Sequence, residues 1–67
     1  MARELELKGR RYWILSEPDP IIGWRAKVVE VNIDGTSDEI GIDAAAETRG
    51  AADDAAERKL RRMLQAY

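Results

Sequence analysis

The fold of this 67-residue chain is decided by the stretch Trp24-Arg25-Ala26-Lys27-Val28-Val29-Glu30-Val31-Asn32-Ile33. Apolar and charged residues alternate over its first half, which is typical of a strand that buries one face, and the apolar phase then switches to Val29 and Val31. We therefore predict a strand over residues 22–33 with apolar side chains on both faces. Either the adjacent valines at 28 and 29 form a bulge that returns one face to the core, or the strand is covered on opposite faces in its two halves.

A second strand is predicted just before this one, at residues 10–15, where aromatic and β-branched residues cluster. Leu5 and Leu7 either extend that strand or form a loosely attached arm, because Gly9 marks a bulge or an end of regular pairing. The segment 16–20 contains both prolines of the chain. Since proline fixes φ and removes a backbone donor, we expect this segment to be a connection through which no strand continues.

A third strand is predicted after the Asp34-Gly35 pair, which readily takes the positive φ angles of a tight hairpin turn. Residues 38–44 alternate isoleucine and alanine with acidic residues and glycine, as a half-buried strand does. A rival interpretation takes residues 36–39, Thr-Ser-Asp-Glu, as a capping box that opens a helix over residues 37–48. Gly41 is unfavourable in such a helix by about 1 kcal/mol relative to alanine, and the strand is preferred.

The clearest pattern in the chain is an amphipathic helix over residues 51–66. Its apolar residues recur at spacings of three and four, which places them on one face, and the charged residues lie opposite. Thr48, or Gly50 where the first turn is frayed, is the expected N-cap. The apolar stripe consists of Ala52, Ala56, Leu60, Met63, Leu64 and Tyr67.

Together these patterns predict one α+β domain over residues 1–67, because a chain of this length cannot fill a second core. The predicted architecture is a three-stranded antiparallel sheet packed on one face by a C-terminal helix, in the order β-β-β-α. The alternative is β-β-α-α, with residues 37–48 helical. Without cysteine the fold has no disulfides to stabilise it, and oligomerisation is the support that small folds then commonly use.

The residue types present argue against catalysis and against a metal or cofactor. The chain has no histidine and no cysteine, so the common zinc and transition-metal sites lack ligands, and proton transfer near neutral pH lacks its usual group. The serines and threonines fall in predicted turns or caps, and the acidic residues between 34 and 43 do not follow the calcium-loop spacing. We therefore expect a protein that is not an enzyme and holds no cofactor or metal.

Charge and hydropathy bear on the compartment and on broad classes of partner. The 13 acidic and 11 basic residues give a net charge of -2, which offers no general attraction to nucleic acid or to anionic membranes. No apolar run approaches the roughly 20 residues of a membrane-spanning helix, and residues 1–4 lack the apolar core of a signal peptide. The expected compartment is the cytoplasm, with no membrane partner.

One helix covers only one face of a sheet, so the apolar residues predicted on the second face need another cover. We therefore predict a non-catalytic protein-interaction domain, with the open sheet face or an edge strand binding another protein or a second copy of this chain. The candidate interface residues are Tyr12, Trp13, Trp24, Val29 and Val31.

The alternative function is nucleic-acid binding by the first two predicted strands. Basic residues interleaved with aromatic ones can hold phosphates while the rings stack on bases. The same residues are also typical of a small sheet whose charges keep it soluble and whose rings fill the core, and this explanation is preferred. The candidate nucleic-acid contacts are Arg10, Arg11, Arg25 and Lys27.

Overall fold

The structure is a computed structural model that describes residues 3–65 as a four-stranded antiparallel sheet and one helix. The strands lie in chain order, so each pairs with the next along the sequence. The helix lies across one face of the sheet and contacts the second, third and fourth strands. The elements are β1 (Arg3–Leu7), β2 (Arg10–Asp19), β3 (Gly23–Val31), β4 (Ser37–Ala46) and α1 (Arg49–Gln65).

The α+β class agrees with the sequence analysis, but the prediction of a three-stranded sheet is wrong. Residues 3–7 form a strand of their own, so the order is β-β-β-β-α. Lys8 and Gly9 have φ angles of 53° and 76°, and positive φ at both positions is what a two-residue type I′ hairpin turn requires. Gly9 therefore closes a hairpin. The Lys-Gly pair is a weaker turn signal than Asn-Gly or Asp-Gly, which is why the hairpin was missed.

The second strand is also longer than predicted, because β2 continues through Pro18 to Asp19. The first described residue of β1, Arg3, pairs with Ile14 of β2. Among the described residues, the part of β2 that follows Ile14 therefore pairs with β3 only. Proline is tolerated at such an edge, where its missing N–H can face solvent without breaking a ladder hydrogen bond. The expectation that no strand passes through residues 16–20 is therefore wrong.

The turn between β2 and β3 is held by Asp19 and Gly23. The Asp19 carboxylate accepts hydrogen bonds from the backbone N–H groups of Ile22 at 3.0 Å and Ile21 at 2.9 Å, and these bonds lower the pKa of Asp19 from its ordinary value of 3.8. Gly23 has a φ of 116°, and a Cβ atom there would lie 2.8 Å from the carbonyl oxygen of Glu47. Only glycine fits this position without strain.

The third predicted strand forms as β4, so the alternative helix over residues 37–48 is wrong. Within β4, Gly41 has a φ of 78°, a value that suits glycine in a bulge and that no helix interior contains. Four strands and one helix therefore account for nearly all of the described chain.

The valine pair of β3 does not form the bulge that the sequence allowed. β3 pairs with β2 without interruption through Val28 and Val29, so these side chains lie on opposite faces of the sheet. The irregularity lies instead in β4, where Asp43 pairs with Lys27 and Glu39 pairs with Val29, so three β4 residues face one of β3. β3 thus carries apolar residues on both faces.

The core lies between α1 and one face of the sheet. Small residues at the centre of this interface allow the helix to lie close to the strands, and larger side chains fill the space toward the helix C-terminus. Met63 and Leu64 are partly buried there, whereas Tyr67 of the predicted stripe lies outside the described residues. The buried cluster consists of Tyr12, Ile14, Ala26, Val28, Ala44, Ala52, Ala56 and Leu60.

The helix begins as the sequence predicted. The Thr48 hydroxyl accepts a hydrogen bond from the N–H of Ala51 at 3.2 Å, and the Thr48 carbonyl accepts one from the N–H of Ala52 at 3.0 Å. The first bond satisfies a donor that a helix N-terminus otherwise leaves unpaired, and the second is the first regular bond of the helix. Thr48 is therefore confirmed as the N-cap.

Candidate interaction face

The face of the sheet opposite α1, called the open face here, is built from alternate residues of all four strands. Tyr12 and Ile14 point toward the helix, so Trp13 and Leu15 point the other way, and the same alternation separates Val28 from Val29. No described helix or strand packs on the open face. Its side chains belong to Glu4, Glu6, Arg11, Trp13, Leu15, Glu17, Asp19, Arg25, Lys27, Val29, Val31, Ser37, Glu39, Asp43 and Ala45.

The middle of the open face is apolar. Trp13 lies directly opposite Val29 on the neighbouring strand, and side chains so placed are within contact distance on one face of an antiparallel pair. Trp13 is 41% exposed, whereas Val29 is only 6% exposed. Leu15 and Val31 are half-buried beside them. These four residues, Trp13, Leu15, Val29 and Val31, form the apolar centre of the open face.

Two of the five predicted interface residues lie on the other side of the sheet. Tyr12 is 1% exposed in the core, and burial together with the nearby Glu30 carboxylate raises its pKa. Trp24 is half-buried on the helix side, where the Arg49 guanidinium lies 5.7 Å from its ring centre. The structure therefore brings Trp13, Val29 and Val31 together and separates Tyr12 and Trp24 from them. Alternation along β2 already implied part of this, because adjacent strand residues cannot share a face.

Leu15, which also belongs to the apolar centre, was not among the predicted interface residues. It lies two positions after Trp13 on the same strand, so a period of two along β2 indicated it. The strand predicted over residues 10–15 already contained this residue. With β2 extended to Asp19, Leu15 and Glu17 follow Trp13 on the open face.

Each of the four predicted nucleic-acid contacts lies within 4 Å of a carboxylate. Arg10 lies on the helix side of the sheet with Tyr12, and the other three belong to the open face. The Lys27 ammonium donates a hydrogen bond to Glu39, and this bond raises the pKa of Lys27. The open face thus carries cations on its central strands that are paired with acidic residues. The pairs are Arg10–Glu30 (3.2 Å), Arg11–Glu4 (3.3 Å), Arg25–Asp19 (3.7 Å) and Lys27–Glu39 (3.0 Å).

The two edge strands are linked to α1 by charged side chains. Arg3 of β1 donates to Asp54 at 2.8 Å and to Glu57 at 3.4 Å. Lys59 donates to the backbone carbonyl of Asp43 in β4 at 2.8 Å. Charged side chains at a sheet edge, lysine above all, discourage pairing with another chain. Pairing of two β1 strands about residue 4, 5 or 6 would also place glutamates opposite each other, which is unfavourable.

The remaining exposed large apolar residues do not form a second patch. Ile21 and Ile22 lie in the β2–β3 turn, and Ile33 lies in the β3–β4 turn at the other end of the sheet. Single exposed apolar residues are normal on a protein surface. Trp13 is therefore the exposed aromatic residue that has apolar neighbours on the same face.

Three hydroxyl groups of the described chain, those of Ser16, Thr36 and Thr48, make structural hydrogen bonds. Ser16 accepts a hydrogen bond from Arg49 at 3.0 Å, and Thr36 donates to Asp34 at 2.7 Å within the β3–β4 turn. Between residues 3 and 65, no three histidine, cysteine or acidic side chains cluster as metal ligands would. Nor does that range contain a helix long and apolar enough to cross a membrane.

Comparisons with family models, with curated proteins and with solved structures found no match to this chain.

Proposed function

We propose that this protein is a non-catalytic protein-interaction domain that binds its partner through the open face. The observation that carries the proposal is the exposure of Trp13, 41% of which is accessible on a face that no other described element covers. Tyr12 and Ile14, its neighbours in sequence, are completely buried under α1. Tryptophan surrounded by aliphatic residues is typical of the residues that contribute most to protein–protein binding.

The edges and the helix are less suited to binding than the open face. Arg3 and Lys59 link both edge strands to α1, which leaves the backbone of those strands less accessible to a pairing chain. The outward side of α1 carries exposed charged residues such as Arg58, Arg61 and Arg62. The core of a protein–protein interface is depleted in charged residues and enriched in aromatic ones. The open face is therefore the surface that best meets this description.

A protein partner is also favoured over nucleic acid by the charges of the open face. Arg11, Arg25 and Lys27 are each paired with a carboxylate of this chain. The open face carries more carboxylates than cations, so it would repel a phosphate backbone along its whole length. A protein surface that carries both signs of charge meets no such penalty. The cytoplasmic compartment expected from the sequence remains a prediction.

The proposal is tested by placing a photo-crosslinking amino acid at position 13 in the full chain expressed in cells. The matched control carries the same amino acid at position 58, which is exposed on the outward side of α1. We expect a protein adduct of discrete mass from position 13 and none from position 58. Equal yields at the two positions, or no adduct at position 13, would contradict the proposal. An adduct that nuclease treatment removes would identify nucleic acid as the partner and would also overturn it.

A further inference from the structure

We infer that the partner on the open face is a second copy of this chain, related to the first by a two-fold axis. This inference rests on the proposed function, because it names the occupant of the surface proposed there. The order of residues along β2, the size of the face and its combination of charges support it.

On the open face, β2 presents Arg11, Trp13, Leu15 and Glu17 in that order. A cation therefore lies at one end of the apolar pair and an anion at the other. When two such strands run antiparallel, one above the other, the cation of each lies over the anion of the other and the apolar residues meet between them. The open side of β2 is thus complementary to itself under a two-fold rotation, which is the symmetry of most homodimers.

The rotation axis would cross the strands between Trp13 and Leu15, at the level of Ile14. Each Trp13 would then lie over the partner's Leu15, and each Arg11 would lie over the partner's Glu17. Arg11 and Glu17 are six positions apart, so the two ion pairs would be about 20 Å apart at 3.3 Å per strand residue. Trp13 and Leu15 of the two copies would meet between them, and the same rotation would place each Lys27 of β3 over the partner's Val29. Long arginine and glutamate side chains also accommodate the rotation of about 30° that twisted sheets adopt when they pack face to face.

The charged groups that this arrangement uses are available. Arg11 is exposed, and its partner Glu4 at 3.3 Å is also exposed, so little free energy is lost if the guanidinium turns toward another carboxylate. Glu17 is exposed and makes no ion pair within the described residues. Within its own sheet Glu17 lies opposite Arg25 and interacts electrostatically with Lys27, and the partner's Arg11 would add a direct ion pair.

The dimensions of the molecule also fit a second copy. It measures 34 × 26 × 16 Å, and the short dimension is the thickness of one sheet and one helix. A rectangle of the two longer dimensions measures roughly 900 Å², which leaves room on one side of the molecule for the 800 Å² or so that each partner buries in a standard interface. Pairing through this face would give four layers, with each sheet covered on both sides. A chain of 67 residues would thereby gain the oligomeric support that its size calls for.

The first test is sedimentation velocity of the purified full chain over a concentration series. We expect a species of twice the 7.6 kDa chain mass, and a monomer up to about 500 µM would overturn the inference, since interfaces of this size bind with micromolar affinity or tighter. Trp13→Ala should raise the dissociation constant at least about 30-fold, as loss of a central tryptophan does. Arg58→Glu, a charge reversal on the outward side of α1, is the control and should leave the constant unchanged.

The second test is a charge exchange between Arg11 and Glu17. Arg11→Glu and Glu17→Arg should each weaken self-association about tenfold or more, because like charges then meet at both ends of β2. An equimolar mixture of the two variants should form a heterodimer, because every facing pair in it is again of opposite sign. A mixture that stays monomeric, or single variants that dimerise as well as the wild type, would overturn the two-fold arrangement. Circular dichroism spectra of the variants verify that they are folded.

The outcomes separate this inference from the proposed function. If the purified chain is monomeric but position 13 forms a discrete adduct with a different protein in cells, the partner is not a second copy. The proposal that the open face binds a protein is then retained. If the chain is monomeric and position 13 forms no adduct, both are wrong. If a dimer persists with Trp13→Ala and with both charge reversals, the copies meet through another surface and the inference is overturned.

Discussion

The two faces of the sheet are formed by alternate residues of the same strands, yet they differ in what covers them. On the helix side Tyr12 and Ile14 are buried against α1, and alanines allow the helix to approach closely. On the open face Trp13 lies among half-buried aliphatic residues, between a cation and an anion of its own strand. The difference shows that a small two-layer protein can bury one face of its sheet and leave the other accessible, and the accessible face is the one proposed here to bind a partner. Four predictions test this difference between the faces.

The largest effect is expected from the adjacent aromatic residues Tyr12 and Trp13. Tyr12→Ala removes a ring that is 1% exposed and should lower the free energy of unfolding by about 3–5 kcal/mol, as deletion of buried aromatic rings does. Trp13→Ala removes a ring that is 41% exposed and should cost about 2 kcal/mol, because the partly exposed ring removes less apolar area from water than the Tyr12 ring does. Urea unfolding at low micromolar concentration measures both. Equal losses would contradict the division of roles between the faces.

A smaller effect is expected at the junction where the β2–β3 turn meets the end of β4. Gly23→Ala would place a Cβ atom 2.8 Å from the Glu47 carbonyl oxygen at a φ of 116°, and should destabilise the fold by about 1–3 kcal/mol. Gly50→Ala is the matched control, because nothing lies within 4 Å of its added Cβ atom. That substitution should stabilise α1 by about 0.5–1 kcal/mol. Thermal unfolding of the two variants should therefore shift in opposite directions.

One buried polar atom of α1 lacks a hydrogen-bond partner among the described residues. Asp53 is 7% exposed, and its Oδ1 atom has no hydrogen-bond partner among the described residues. Asp53→Ala should raise the free energy of unfolding by about 1 kcal/mol, because it removes an unsatisfied buried acceptor and introduces the best helix former. Asp54→Ala should lower it by less than about 0.5 kcal/mol, since the exposed pair with Arg3 at 2.8 Å is lost. A loss of stability with Asp53→Ala would show that this carboxylate has a favourable role.

The smallest effect is expected on the loss of stability at acid pH, and it arises from Asp19 in the turn between β2 and β3. Bonds from the N–H groups of Ile22 and Ile21 lower the pKa of Asp19 below 3.8 in the folded chain. A carboxylate whose pKa is lowered on folding stabilises the fold above its unfolded pKa, and that contribution is lost as the pH falls through the folded pKa. Asp19→Asn should therefore reduce the loss of stability below about pH 4. Unfolding curves of both proteins between pH 2 and pH 7 measure the difference, and parallel curves would contradict it.

The sequence predicted the parts of the fold whose signals are local. The helix expected over residues 51–66 is found at Arg49–Gln65, with Thr48 as its cap. A period of 3.6 residues and a capping threonine are both contained in a short stretch of chain, so they can be recognised without knowledge of the rest.

The predictions for β1 and for residues 16–20 are wrong because pairing between strands overrides the local signal there. Pro18 lies within a strand because β1 does not extend beside it in the described residues, and no local pattern reveals which residues will lie at an edge. β1 was missed because five residues of alternating charge and leucine are stable as a strand only when paired with β2. Both errors concern contacts between residues that are distant in sequence.

Side chains of a strand alternate with a period of two, so the order of residues is enough to place Tyr12 and Trp13 on opposite faces and apolar residues on both faces of β3. Which of these faces α1 covers is not contained in that alternation. That choice depends on how many strands pair, where β4 bulges and which small residues admit the helix, and these are cooperative properties of the packed sheet. The exposure of Trp13, and with it the proposed interaction face, follows from that choice.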